Sequence, residues 1–187
     1  MRIGVLAAQG AFREHVGALT ACGAAAVEVR KPEQLEGLDA LVLPGGESTA
    51  IARLLLEFGL FDRLRELGEA GLPIFGTCAG MVLLAREIEG SAQPRLGLMD
   101  IAVRRNAFGR QVASFEADLE VPVLGAEPVR GVFIRAPYVL RWGPEVRVLA
   151  TFDGKAVLVE QGKLLAAAFH PELTPDLRLH RYFLQKI

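Results

Sequence analysis

The sequence predicts an α/β fold: a three-layer α/β/α sandwich with a mostly parallel central sheet and an antiparallel extension in its C-terminal half. Three observations carry this. Over the first half, short runs that are apolar throughout alternate with amphipathic helical patterns, as parallel strands buried on both faces require. The second half replaces helices with closely spaced strand-like runs, separated by turn residues such as Asp153-Gly154 and Gln161-Gly162, which is antiparallel patterning. Hydrophobic residues make up 51% of the 187-residue chain, enough to cover such a sheet within one domain spanning residues 1–187.

The elements follow in order. Ile3 to Ala8 is a first strand. Phe12, Val16 and Leu19 recur at helical spacing, and Gly23 ends that helix. Ala25 to Val29 and Ala40 to Leu43 are the next strands, the latter closed by Pro44-Gly45-Gly46. Ser48 is expected to cap a helix running through Leu54, Leu55 and Leu56. Phe61, Leu64 and Leu67 mark another helix, which Gly71 ends. Pro73 to Phe75 is a fourth strand, followed by a helix from Ala79 to Ala85. Asp100 to Val103, Phe115 to Val121, Val129 to Ile134, Val146 to Phe152, Ala156 to Val159 and Leu164 to Phe169 are expected to extend the sheet. A closing helix follows Pro175.

Composition excludes several functions. A net charge of −1 points to neither nucleic acid nor a membrane surface as a partner. No apolar run approaches bilayer length. Cys22 and Cys78 give no disulfide framework, so a cytoplasmic location is expected, where a thiol stays free. Two cysteines and three scattered histidines lack metal-ligand spacing, and no G-x-G-x-x-G opens a helix, so neither metal nor cofactor is expected.

Cys78 is the chemically informative residue. It sits in Phe75-Gly76-Thr77-Cys78-Ala79-Gly80, between a strand and a helix, with a glycine two residues away on each side. Reactive groups of parallel sheets gather at such strand ends. Small neighbours permit the tight turn of a nucleophile elbow, the helix start behind the thiol favours thiolate, and the Ala79 N–H can face an oxyanion. On the turn alone, a small buried core cysteine is an equal alternative. His170 and Glu172, at the end of the last strand, supply a base and its orienter. His15 and His180 lie in helical patterns and are expected to be solvated or at an interface. Pro44-Gly45-Gly46-Glu47-Ser48-Thr49 lacks the lysine of a phosphate loop. It is either a plain strand-to-helix turn or the second half of an oxyanion hole.

These three segments together resemble the class I, triad-type glutamine amidotransferases. The similarity extends through Gln9-Gly10 with Arg13-Glu14-His15, Arg105-Asn106 with Phe108-Gly109-Arg110-Gln111, Ser114 to Asp118, Gly131 to Pro137 and Phe169 to Thr174. Within that class it is similar to the glutaminase subunits of pyridoxal 5′-phosphate synthases, over essentially the whole chain. The resemblance implies hydrolysis of L-glutamine, with Cys78 as nucleophile, His170 as acid/base and Glu172 as orienter. It further implies Gly46 and Ala79 as oxyanion donors, and Gly46, Glu47, Ser48, Arg105, Ile134 and Arg135 as the glutamine pocket. On their own, Arg105 and Arg135 are ordinary surface charges. The implied partner is a synthase subunit in a multimeric complex, and the polar Gln9-to-His15 segment is the expected docking surface. A glutaminase subunit of another triad enzyme, such as imidazole glycerol phosphate synthase, is the runner-up. A stress protein of related sheet architecture would not need His170-Pro171-Glu172, and the complete triad disfavours an inactive interaction module.

Overall fold

The computed structural model describes residues 1–106, 108 and 113–187. Its centre is a ten-stranded sheet. The strands β1 (Arg2–Leu6), β2 (Ala25–Val29), β3 (Ala40–Leu43) and β4 (Ile74–Thr77) are parallel, in the order β2-β1-β3-β4. Every residue of β3 and β4 is buried, so helices must cover both faces of this half. Two helical groups do so. The helix α1 (Phe12–Ala21) touches α5 (Arg178–Leu184), while α2 (Ser48–Glu57) touches both α3 (Phe61–Glu69) and α4 (Ala79–Leu84).

The second half departs from expectation in two respects. The strands β7 (Ser114–Leu119) and β8 (Val129–Ile134) do not extend the main sheet; they pair with each other as a separate antiparallel ribbon. Their alternating burial covers only one face, where Phe115 and Phe133 stack at 4.7 Å between centroids. Two strands also escaped the sequence patterns. The strand β5 (Ala85–Ile88) follows α4 with no turn between them, and β9 (Tyr138–Trp142) is short, half-exposed and carries Arg141. The main sheet is completed by β6 (Met99–Arg104), β10 (Arg147–Phe152), β11 (Lys155–Gln161) and β12 (Leu164–Ala167).

The strand β12 decides where the site forms. It pairs antiparallel with β11 on one side and parallel with β4 on the other, in the register Ala167 to Thr77. The two strands therefore end side by side. Residues just beyond them, Cys78 after β4 and His170 after β12, emerge at the same edge of the sheet, although ninety-odd residues separate them in the chain.

Candidate active site

Cys78 is the turn between β4 and α4. Its backbone sits at φ 50°, ψ −105°, a region that costs a non-glycine residue on the order of 1–3 kcal/mol and is kept only where the surroundings enforce it. They do so here by contact. A Cβ on Gly76 would lie 2.5 Å from the Gly80 carbonyl, and one on Gly80 would lie 2.0 Å from the Leu43 oxygen of β3. The two flanking glycines are thus where α4 presses onto the sheet, and the Cys78 N–H is tied to the Ala167 oxygen of β12 at 2.8 Å. The thiol is nearly buried and donates to the Ile134 carbonyl at 3.8 Å.

His170 is positioned by its N–H bond to the Val132 oxygen of β8 at 2.8 Å. Its Nδ1 donates to Glu172 Oε1 at 2.7 Å, across the rigid Pro171 link. Burial of the ring opposes its charged form, but hydrogen bonds and charge from Cys78 and Glu172 outweigh this and push its pKa up to about 10. A protonated His170 also answers the need of the Glu172 carboxylate, whose side chain is fully buried and must be paired. Gly45 fits between the partners: a Cβ there would meet His170 Cε1 and lie 3.3 Å from Cys78 Cβ.

A cavity of about 290 Å³ opens above the thiol. Cys78, His170, Gly46, Ala79, Glu47, Ser48, Arg105, Ile134 and Arg135 all line it, so the structure brings nine of the ten sequence-derived site residues to one space. Glu172 is the tenth and lies behind His170. Asn106 and Pro137 line the cavity too. Of the Phe108-to-Gln111 match, Gly109, Arg110 and Gln111 fall outside the described residues.

Two side chains play parts other than those expected. The cap of α2 is Glu47, not Ser48: its carboxylate accepts the N–H groups of Thr49 at 3.0 Å and Ala50 at 2.7 Å. Burial works against the ionised form of Glu47, yet these bonds and nearby Arg105 hold its pKa below the usual carboxylate value. The carboxylate is thus occupied in capping, and its N–H is held by Gln9 Oε1 at 2.6 Å. Ser48 instead donates to Gln93 Oε1, which also accepts from Thr49 Oγ1 and, at 2.7 Å, from Arg105 Nη1. Gln93 sits in no recognisable motif, yet it fixes Arg105 against the start of α2.

The largest correction concerns the other histidines. His15 and His180 are neither solvated nor at an interface; both are fully buried. They meet each other behind Glu172, at the junction of α1, α5 and β4. The exposed members of the Gln9-to-His15 segment are Gln9, Gly10, Arg13 and Glu14.

Comparison with known proteins assigns the family. The model of the SNO glutamine amidotransferase family matches residues 5–187. The chain belongs to the SNO glutamine amidotransferase family. Among SNO relatives, "Pyridoxal 5′-phosphate synthase subunit PdxT" of Pelotomaculum thermopropionicum is 70% identical, covering 100% of this chain and 95% of the relative. The protein of the same name from Moorella thermoacetica is 64% identical, with 100% of both chains covered. A crystal structure described as a glutamine amidotransferase superposes with a TM-score of 0.93 at 59% identity, over 98% of this chain and 97% of the other. PurLQS from Thermotoga maritima, at 16% identity and a TM-score of 0.72 over 98% and 97%, shares the fold alone. Among the described residues of this SNO chain, no helix is long and apolar enough to cross a membrane.

Proposed function

We propose that this chain is the glutaminase of a pyridoxal 5′-phosphate synthase, hydrolysing L-glutamine and passing ammonia to a synthase subunit. The observation that carries the chemistry is the buried His170–Glu172 pair beside a cysteine held at positive φ on a strand end. The likeness to PdxT proteins over the whole chain supports the biosynthetic context.

In this reading the Cys78 thiolate attacks the side-chain amide carbon of glutamine. The carbonyl π electrons move to oxygen, which the N–H groups of Gly46 and Ala79 receive. His170, protonated at neutral pH because its pKa is raised, gives its proton to the amide nitrogen; the C–N bond breaks and ammonia leaves. Water, deprotonated by the now neutral His170, attacks the glutamyl thioester, and the C–S bond breaks to give glutamate and the thiolate. Arg105, Arg135 and the backbone around Gly46, Glu47, Ser48 and Ile134 would hold the zwitterionic end of the substrate.

Docking of the synthase subunit is proposed to complete the oxyanion hole. The exposed Gln9-Gly10 turn leans directly on the Gly45-Gly46 loop: Gln9 holds the Glu47 N–H, and a Cβ on Gly10 would lie 2.0 Å from the Gly45 oxygen. A partner that moves this turn moves the loop. Residues 1–187 would act as one catalytic domain, a reading supported by the continuous core from Ile3 to Phe183. A reducing cytoplasm suits the free thiol.

The test is to mix the chain with a synthase subunit and glutamine, and to measure ammonia and pyridoxal 5′-phosphate. Cys78→Ala should abolish both while the circular dichroism spectrum stays native. Ammonia production by the alanine variant at the normal rate would sink the assignment, and equal rates with and without the synthase would count against gating.

A further inference from the structure

Behind the triad lies a polar cluster in an otherwise apolar region. His15 Nε2 stands 3.1 Å from Thr77 Oγ1 and 3.3 Å from Glu172 Oε2, while His15 Nδ1 stands 3.0 Å from His180 Nε2. Phe75 packs edge-on against both imidazoles, at 6.2 Å from His15 and 6.0 Å from His180. Glu172 Oε2 is fully buried and makes no hydrogen bond among the described residues; His15 Nε2 lies against it at 3.3 Å, within ion-pair distance. A buried carboxylate oxygen left so bare is costly, and an N–H directed at it is what the site needs.

The proton positions follow from the partners. An ionised carboxylate only accepts, so a bare nitrogen facing it would be repelled. His15 therefore carries its hydrogen on Nε2, bonded to Thr77 Oγ1 with Glu172 Oε2 alongside at 3.3 Å. Its Nδ1 then accepts the Nε2–H of His180, which fixes the tautomer. His180 Nδ1 ends the chain with no partner among the described residues.

We infer that His15 is a positioning residue for the proposed glutaminase reaction: its neutral Nε2–H braces Glu172 against Thr77, so that Oε1 stays aimed at His170. The assignment rests on the glutaminase reading given above. Thr77 precedes Cys78, so one imidazole ties the strand carrying the nucleophile to the carboxylate that orients the base. Neutrality matters, because a cationic His15 would compete with His170 for the Glu172 charge. Burial first, then the neighbouring His180 and His170, keep the His15 pKa well below its usual value. The charged and titratable groups facing the pair are Glu172 and His170 around the Pro171–Leu173 turn, with Asp176 acting on His180.

The experiment compares His15→Leu, His15→Gln and His180→Leu in the full chain, alone and with the synthase subunit. His15→Leu should lower kcat about ten- to hundred-fold with KM within about twofold, the scale typical of lost outer-shell support. His15→Gln, which keeps an amide N–H near the Nε2 position, should recover most of that loss. Ring titration of His170 by NMR is the independent readout, aided by there being only three histidines. Its midpoint, near 10 in the parent, should fall by about one unit or more in His15→Leu and less in His180→Leu. An unmoved His170 midpoint in a folded His15→Leu variant overturns the inference, whatever happens to kcat. If His15→Leu does not fold, His180→Leu carries the test: a lowered His170 midpoint together with a lowered kcat supports the brace, and an unmoved midpoint overturns it. Cys78→Ala is assayed alongside: undiminished ammonia release by that variant defeats the glutaminase reading, while the NMR titration still reports on the brace.

Discussion

Lowering the pH from 6 to 5 is expected to cost the isolated chain about 2 kcal/mol of folding stability, through two side chains that never touch substrate. His180 is fully buried and its pKa is lowered to about 4, by burial and against the pull of Asp176. His15 is lowered in the same direction, by burial and by its histidine neighbours. A histidine whose folded pKa is depressed gives stability that is fully present above its unfolded pKa and is lost as pH falls towards the folded one. At pH 5.5 each unfolded histidine, with a pKa of about 6.5, binds about 0.9 proton, while folded His15 and His180 bind almost none. His170 opposes this only weakly, by about 0.1 proton, because it is protonated in both states there. The net uptake of about 1.7 protons on unfolding corresponds to a slope of about 2.3 kcal/mol per pH unit. Carboxylates contribute mainly below pH 5, so the window is clean. Urea unfolding at half-unit steps from pH 7 to 5 measures the slope. His180→Phe should be less stable at pH 7, since it leaves His15 Nδ1 without its donor, but its slope should fall by about half. A parent slope below about 1 kcal/mol per unit, or an unchanged slope in His180→Phe, would refute the neutral-pair reasoning.

Three further outcomes follow from the contacts. Gly80→Ala drives a Cβ to 2.0 Å from the Leu43 oxygen, a backbone atom that cannot yield, so a loss of about 3 kcal/mol or failure to fold is expected by thermal unfolding. Glu47→Ala removes both caps of α2 and should cost about 1 kcal/mol, measured by urea titration, with a raised KM for glutamine because the loop before the helix loosens. Gln93→Leu frees Arg105 from its 2.7 Å anchor and should raise KM about tenfold with little change in kcat, checked by steady-state ammonia release.

The triad was legible because each member stands in a local pattern that short-range physics demands. Gly76 and Gly80 around Cys78 mark a turn that no larger residue could build, and Pro171 holds Glu172 at a fixed reach from His170. Strand β3 was equally plain, being a continuous apolar run closed by Pro44-Gly45-Gly46. The β7–β8 ribbon was misplaced because alternation reports one buried face and is silent on which sheet provides the cover. The strand β5 was hidden because it starts where α4 stops, with no glycine or proline to mark the change. His15 and His180 were misjudged because an isolated histidine in a helix carries no sign of which side the helix presents inward.

The sequence by itself determined the alternation of elements, the strained thiol turn and the candidates for the proposed triad, since each depends on neighbours a few residues apart. Only the tertiary structure decided that β12 lies parallel to β4, and this register puts His170 beside Cys78. It also decided that Glu47 rather than Ser48 caps α2, that Gln93 holds Arg105, and that His15 and His180 lie behind Glu172. Apart from the local Glu47 cap, those pairings span 12 to 165 residues. They arise when the sheet closes and buried polar groups must find partners, a demand that no local pattern encodes.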